Sequence, residues 1–242
     1  MRFDTVPYSL DESLTRIEAL KDIPNQYVED PTTEGGDQAR KAGVFIANRT
    51  VLCVSFSEGK DNKDKAMLLA KRWRTLLSEI NAIAASYRKG GILEIQDNNV
   101  FITLDTPYKV DVEAAVDMAA QVRSLVDIVN FVFKDLTAIK VVIGINYGEV
   151  ILLKRKPYLD KDEVDVENCK GEAKNKAASL TIYEAGHVVI SNSVKRNLSA
   201  IYRDFFPTEI VGKDAFLGSI VNTQMNNWIK GQKDRNNKTS DQ

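Results

Sequence analysis

The chain has 242 residues, of which 43% are hydrophobic, so a core of domain size can be buried. Its 33 basic and 34 acidic residues leave a formal net charge of −1, which does not predict a nucleic-acid partner. No apolar run approaches the roughly 18 residues of a membrane helix, and the first residues lack a signal-peptide pattern. We therefore expect a cytoplasmic protein with no membrane segment, in which Cys53 and Cys169 are reduced thiols.

The first half of the chain alternates turn-rich segments with regular patterns. Residues 1–41 are polar and rich in proline and glycine, and we expect an N-terminal arm there. A continuous apolar run from Thr50 to Phe56 predicts a central β-strand. Apolar residues at helical spacing then predict a long helix over residues 65–87, with the basic cluster at 71–74 on a solvated face.

The second half continues with shorter elements. Apolar segments around Asp97 to Asn99 predict a β-hairpin, and a helical pattern follows over residues 112–133. The segment KVVIGINYGEVILL predicts two strands that turn at Asn146–Gly148. Further elements are predicted at 172–183 (helix), 187–191 (strand), 193–200 (helix), and 208–217 and 219–228 (extended). Strand, helix, hairpin, helix and strand in this order are the split arrangement of ferredoxin-like folds, so we predict an α+β class.

Four segments, in this order, resemble class III nucleotidyl cyclases. They are DTPYKVDVEAA followed by SLVDIVN, IKVVIGINYGEVIL, GEAKNKAASL and GSIVNTQMNNWI. The last segment resembles in particular the pyrimidine nucleotide cyclases of the bacterial Pycsar anti-phage system. The resemblance spans residues 42–229 and implies a class III nucleotidyl cyclase catalytic domain with a ferredoxin-like βαββαβ core. We expect residues 230–242 to form a disordered tail.

The resemblance also implies a chemistry. In this family the 3′ hydroxyl of a nucleoside triphosphate attacks the α-phosphate, pyrophosphate leaves, and two divalent ions held by two aspartates assist. Ser55 and Asn98 fall on those two aspartate positions. Neutral serine and asparagine oxygens seldom anchor magnesium without a carboxylate. The resemblance therefore implies a degenerate metal site that needs no cofactor, whereas an active enzyme would use magnesium or manganese.

Four further positions carry roles only through the resemblance. Asn175 falls on the asparagine that holds the ribose, whereas Ser179 stands where the wider family has an arginine for the transition state. Glu94 and Asn168 fall on the two base-contacting positions, with a solvated strand residue and a loop residue as the plainer interpretation. Because the family's site is shared across a two-fold axis, the resemblance implies a homodimer.

Three interpretations of Ser55 and Asn98 stay open. They are ordinary polar residues at a strand end and a loop, or they mark a cyclase fold that binds or dimerises without cyclising. Alternatively, the register is shifted by one residue and an acid still serves. Asp97 is then the obvious substitute for Asn98, and Glu58 and Asp61 are weaker substitutes for Ser55.

The leading functional hypothesis is a degenerate Pycsar-type homologue in antiviral nucleotide signalling. It would dimerise and act as a nucleotide-sensing or regulatory protein, with nucleotide, another cyclase or an effector protein as further partners. The alternative is an active pyrimidine cyclase that converts UTP or CTP to cyclic UMP or cyclic CMP and pyrophosphate. A purely structural interaction module is the third class.

Overall fold

A computed structural model of the chain describes residues 44–59, 65–87, 91–155, 166–183 and 185–240. The predicted N-terminal arm lies outside the described residues. In chain order, the helices and strands are β1 (Val44–Ser57), α1 (Ala66–Ser86), β2 (Gly91–Gln96), β3 (Asn99–Leu104), α2 (Lys109–Val132), β4 (Lys140–Arg155), β5 (Val166–Lys170), α3 (Glu172–Ser179), a 3₁₀ turn (Leu180–Ile182), β6 (Val188–Ser191), α4 (Asn192–Asn197), α5 (Ala200–Arg203), β7 (Thr208–Ile210), β8 (Ala215–Gly218) and α6 (Thr223–Ser240).

The strands form one mixed sheet. Its order is β2-β3-β1-β4-β6-β8-β7, and β5 pairs with the outer part of β4. The pairs β1–β3, β1–β4 and β2–β3 are antiparallel, whereas β4 and β6 are parallel. The first four strands with α1 and α2 form a ferredoxin-like βαββαβ core, which confirms the predicted α+β class.

The central strand β1 separates two apolar clusters because successive side chains of a strand point to opposite faces. Leu52, Val54 and Phe56 belong to the large core that α1 and α2 cover. Val51 and Cys53 belong to a smaller cluster on the other face, where α3 packs. The two faces of the sheet therefore carry different partners, and the candidate functional residues lie mostly on the α3 side.

Helix α1 presents an apolar stripe to the large core, with Leu76, Ile80 and Ala84 buried four residues apart. Arg72 lies one turn before Leu76 on this same face and is fully buried. Its guanidinium donates to the Glu58 carboxylate and, at 2.6 Å, to a backbone carbonyl in the segment before β4. The prediction of a solvated basic cluster is therefore wrong at Arg72, because helical spacing places that residue inward.

The predicted hairpin at Asn146–Gly148 is wrong. Strand β4 runs without interruption over 16 residues and pairs with all 14 residues of β1. Gly148 lies opposite Arg49 inside this ladder. The strand continues through Gly148 because β1 begins at Val44, earlier than predicted, and supplies a partner for the outer half of β4. Strand β5, for which no strand was predicted, pairs with that same outer half.

The C-terminal segment is helical, although an extended piece and a disordered tail were predicted there. Helix α6 runs to Ser240, and the Asn222 side chain accepts a hydrogen bond from the Met225 amide at 3.0 Å. Ile229 is buried, and the Trp228 ring meets the Phe131 ring edge-on at 6.2 Å. Packing on α2 thus supports a segment whose own apolar pattern is weak. Among the described helices, none has the length and apolar character to cross a bilayer.

Candidate functional site

The end of β1 lies beside the turn that joins β2 and β3. Ser55 is half-buried and pairs with Asn99 across the ladder. The Phe56 amide donates to the Asn98 carbonyl at 3.0 Å. The fold thus brings the two positions that the resemblance assigns to metal binding to one edge of the sheet.

The donor groups at this edge are mostly neutral. Ser55 offers a hydroxyl and Asn98 an amide, and Asp97 supplies the one carboxylate of the two-residue turn. Asp97 adopts a φ of 52°, in the left-handed region that aspartate tolerates in turns. A two-metal centre needs several anionic oxygens to hold its ions. One exposed carboxylate with a hydroxyl and an amide does not fit that requirement.

The other acids proposed as substitutes do not complete such a centre. Glu58 binds the buried Arg72 guanidinium with one carboxylate oxygen and accepts from the Trp73 indole with the other at 3.3 Å. Asp61 lies outside the described residues. Within the part of the chain that the structure describes, no three histidine, cysteine, aspartate or glutamate side chains converge as they would around a metal ion.

Glu94, at the first position that the resemblance assigns to base contact, is held by donors from the same chain. The Cys169 amide donates to its Oε1 at 2.6 Å, and Lys174 Nζ donates to its Oε2 at 2.5 Å. The Lys174 ammonium also donates to the Cys169 carbonyl at 3.2 Å and lies 4.5 Å from the centre of the Phe101 ring. Glu94 therefore joins β2 to β5 and α3. Asn168, at the second position that the resemblance assigns to base contact, pairs with Leu153 through its backbone, and its side chain lies outside the described residues.

Lys174 was not singled out from the sequence. Lys174 directly follows the buried residue Ala173 and precedes the buried residue Ala177 by three positions. It is itself only 7% exposed. This inward position of a lysine in a short helix was the available signal, because a buried ammonium requires a partner. The partner, Glu94, is 80 residues away in sequence, so no local pattern revealed it.

Asn175 and Ser179 lie one turn apart on the exposed side of α3. The Ser179 hydroxyl donates to the Lys176 carbonyl at 2.8 Å within the helix. Beneath them, α3 packs so closely on β4 that a Cβ added to Gly144 would lie 2.2 Å from the Ala177 carbonyl oxygen. The helix is thus fixed on the sheet, and Asn175 and Ser179 are exposed on its outer face.

The two cysteines lie under the same site. Burial raises the pKa of the Cys53 thiol to about 12, although a hydrogen bond with Thr181 works against that shift. Burial also raises the pKa of Cys169, and a hydrogen bond with Thr103 partly offsets it. Both thiols are therefore protonated near neutral pH and act as small apolar groups.

A cavity of about 600 Å³ lies on the opposite side of the sheet, between α2 and the start of α6. Asp117 lines it, and the Tyr202 hydroxyl donates to this carboxylate at 2.9 Å. Burial raises the pKa of Asp117, the hydrogen bond from Tyr202 lowers it, and Glu113 raises it. The cavity is separate from the edge that carries Ser55, and no residue predicted for the site lines it.

Comparison with known proteins identifies the fold. The structure is similar to the adenylyl cyclase CyaB from P. aeruginosa, with a TM-score of 0.58 and 18% identity over 74% of this chain and 97% of that one. It is also similar to the guanylyl cyclase Cya2, with a TM-score of 0.56 and 17% identity over 75% and 96% of the two chains. A non-canonical dimeric guanylyl cyclase domain from Blastocladiella emersonii gives a TM-score of 0.53 and 18% identity over 72% and 96%.

Neither a protein-family model nor a curated protein matches the sequence. The structural likeness nonetheless extends over nearly the whole of each cyclase domain. The chain therefore has the α+β fold of a class III nucleotidyl cyclase catalytic domain. At these identities, the activity of the solved cyclases does not transfer with the fold.

Proposed function

We propose that this chain is a catalytically degenerate nucleotidyl cyclase homologue of the Pycsar type, which binds nucleotide and dimerises in the cytoplasm without cyclising. The observation that carries the proposal is the edge formed by Ser55 and Asn98. The backbone bond from Phe56 to Asn98 supports the alignment of these residues with the two aspartate positions. The side chains there are a hydroxyl and an amide, which are poor anchors for divalent ions.

The loss of charge matters because the substrate is a polyanion. Cyclisation requires an activated 3′ hydroxyl and compensation of the charge that develops on the phosphates. With neutral groups at both positions, neither requirement is met by the protein. Ser179 adds a further deficit, since a serine hydroxyl cannot supply the positive charge of the arginine expected there.

The outer face of α3 supports a two-fold assembly. Asn175 and Ser179 are both exposed on this face, as residues that complete a neighbouring site would be. We therefore propose a homodimer in which this face lies at the interface, with an effector protein or another cyclase as a further partner. Light scattering at micromolar concentration should return twice the chain mass of 27.1 kDa, and a single chain mass would contradict the assembly.

The test of the proposed function is turnover together with repair. The unmodified chain should form no cyclic product from ATP, GTP, CTP or UTP in the presence of manganese, as measured by chromatography. The double substitution Ser55→Asp with Asn98→Asp should recover manganese binding and weak cyclisation. Either single substitution should recover much less, because both acids would hold the same ions.

The outcome that overturns degeneracy is robust cyclic UMP or cyclic CMP from the unmodified chain. Asp97 would then be the ligand that replaces Asn98, and Asp97→Ala should abolish the product. This second candidate rests on the carboxylate that the structure places in the turn itself. Inactivity combined with nucleotide binding in a calorimetric titration would support the sensor, whereas inactivity without any nucleotide binding would favour a structural module.

A further inference from the structure

The cavity between α2 and the start of α6 has walls that hydrogen bonds hold in place. The Asn222 amide donates to the buried Ser124 hydroxyl of α2 at 2.8 Å. The Asn222 side chain accepts from the Met225 amide at 3.0 Å, which fixes the first turn of α6. The enclosed volume of about 600 Å³ lies within the range of small-molecule sites. The fold therefore keeps open a space that is large enough for a small organic molecule.

The charge in this cavity is negative. Among the described residues that line it, Asp117 is the one with an ionisable side chain. The Tyr202 hydroxyl lies 2.9 Å and 3.0 Å from its two carboxylate oxygens, and it has a single proton to donate. An ionised carboxylate offers about four acceptor positions, so several of them remain for a ligand. Glu113, one turn earlier on α2, adds a second negative charge nearby. The cavity therefore favours a ligand that is a cation.

The rest of the lining is largely apolar and includes an aromatic ring. Val116, Ala120 and Val221 supply aliphatic surface. Phe205 also lines the cavity and is 46% exposed, and its ring packs edge-on against Tyr202 at 5.6 Å. Aromatic rings attract organic ammonium ions in addition to burying apolar surface. A ligand that combines a positive charge with an apolar body would therefore find a partner for each part.

We propose that this cavity is a binding site for a small organic cation, namely a protonated primary amine on an apolar, ring-sized body. The ammonium group would donate to Asp117, and the body would contact Phe205 and the aliphatic lining. Phosphate-bearing ligands do not suit the cavity, because Asp117 and Glu113 would repel them. A lone divalent ion does not suit it either, since it needs more anionic oxygens than one carboxylate. The site is independent of the proposed function and lies across the sheet from Ser55.

The test titrates the full chain, labelled with ¹⁵N, at pH 7 with three probes of the same shape and different charge. They are phenethylamine, which is protonated at this pH, the neutral phenethyl alcohol, and the anion 3-phenylpropionate. Phenethylamine should shift the backbone amide signals of α2 and of the start of α6 at millimolar concentration or below. The alcohol should bind about tenfold more weakly, close to the effect of one hydrogen bond to a charged group. The carboxylate probe should not bind.

The variant that removes the charge from the cavity is Asp117→Asn, which keeps an acceptor for Tyr202. It should weaken phenethylamine about tenfold and leave the alcohol nearly unchanged. The matched control is Glu113→Gln, which removes an equal charge one turn away but does not line the cavity. Glutamine keeps an acceptor for the Ser199 amide, which donates to Glu113 at 2.8 Å. This control should weaken phenethylamine by less than about threefold, because an exposed charge at that distance is screened by solvent.

Thermal melting verifies that each variant folds, and if Asp117→Asn does not, the three probes on the unmodified chain decide the matter. The inference is overturned if the alcohol binds as tightly as phenethylamine, or if phenethylamine causes no shift at millimolar concentration. It is also overturned if Glu113→Gln weakens phenethylamine as much as Asp117→Asn does, since the attraction would then belong to the surface charge of α2. Shifts confined to residues away from α2 and α6 would place the amine elsewhere and count equally against it.

Discussion

The contact between Gly144 and α3 yields a quantitative prediction about the packing that supports the site. A Cβ added at Gly144 would lie 2.2 Å from the Ala177 carbonyl oxygen and 2.8 Å from the Leu180 Cβ. Carbon atoms pack at about 3.5–4.0 Å, so α3 would have to move outward by about 1 Å or more. The backbone of α3 cannot rotate aside as a side chain would. We therefore expect Gly144→Ala to lower the free energy of unfolding by about 3 kcal/mol, at the upper end of overpacking effects.

Gly148 provides the matched control on the same strand. A Cβ there would lie 3.6 Å from the Asn146 Nδ2 and 3.7 Å from the Ala173 Cβ, both ordinary contact distances. Gly148→Ala should change the free energy of unfolding by less than about 1 kcal/mol, and it can be stabilising because alanine restricts the unfolded chain. Both residues pair with β1, so strand propensity is nearly matched.

The assay is urea denaturation of both variants, followed by circular dichroism. The midpoint of Gly144→Ala should fall well below that of Gly148→Ala, with similar slopes for the two curves. Equal midpoints would refute the reasoning, because they would mean that α3 does not approach β4 as closely as described. A large loss for Gly148→Ala alone would also contradict it.

Two further predictions concern titratable groups. Cys53 and Cys169 should resist a thiol reagent at pH 8 in the native protein and react after denaturation, because burial raises the pKa of both thiols. Rapid labelling of the native protein would contradict this prediction. Burial also raises the pKa of Asp117. The protonated carboxyl therefore adds to the free energy of unfolding at low pH, and this contribution is lost as the pH rises through the pKa of the folded state. Asp117→Asn keeps an acceptor for Tyr202 and should melt above the unmodified chain at pH 7, with the difference shrinking near pH 4; a lower melting temperature at pH 7 would contradict it.

The core of the fold was predictable because its signals are local. The apolar run around Leu52 and the two helical stripes each depend on side chains within one element. Their order alone then predicted the ferredoxin-like arrangement. The proximity of Ser55 to the turn between β2 and β3 could also be predicted from this arrangement, since the central strand and the hairpin are neighbours in the sheet.

The errors arose where a distant partner decides the local structure. Gly148 favours a turn by its residue type, but Arg49 and its neighbours supply a strand partner that keeps β4 extended. The C-terminal helix depends on Phe131 and on the Asn222 cap, and its sequence alone carries a weak apolar pattern. Secondary-structure propensity yields to tertiary packing in both places.

Helix α3 shows why a short, weakly apolar segment can still organise a site. Eight residues do not form a stable helix in water, so α3 depends on its contacts with the sheet. The close approach at Gly144 fixes its height above β4, and the pair between Lys174 and Glu94 fixes one end against β2. These inward contacts determine where the outward residues Asn175 and Ser179 stand. A change at Lys174 should therefore shift Asn175 and Ser179 together, whereas a change at Ser179 should affect only the exposed face of α3.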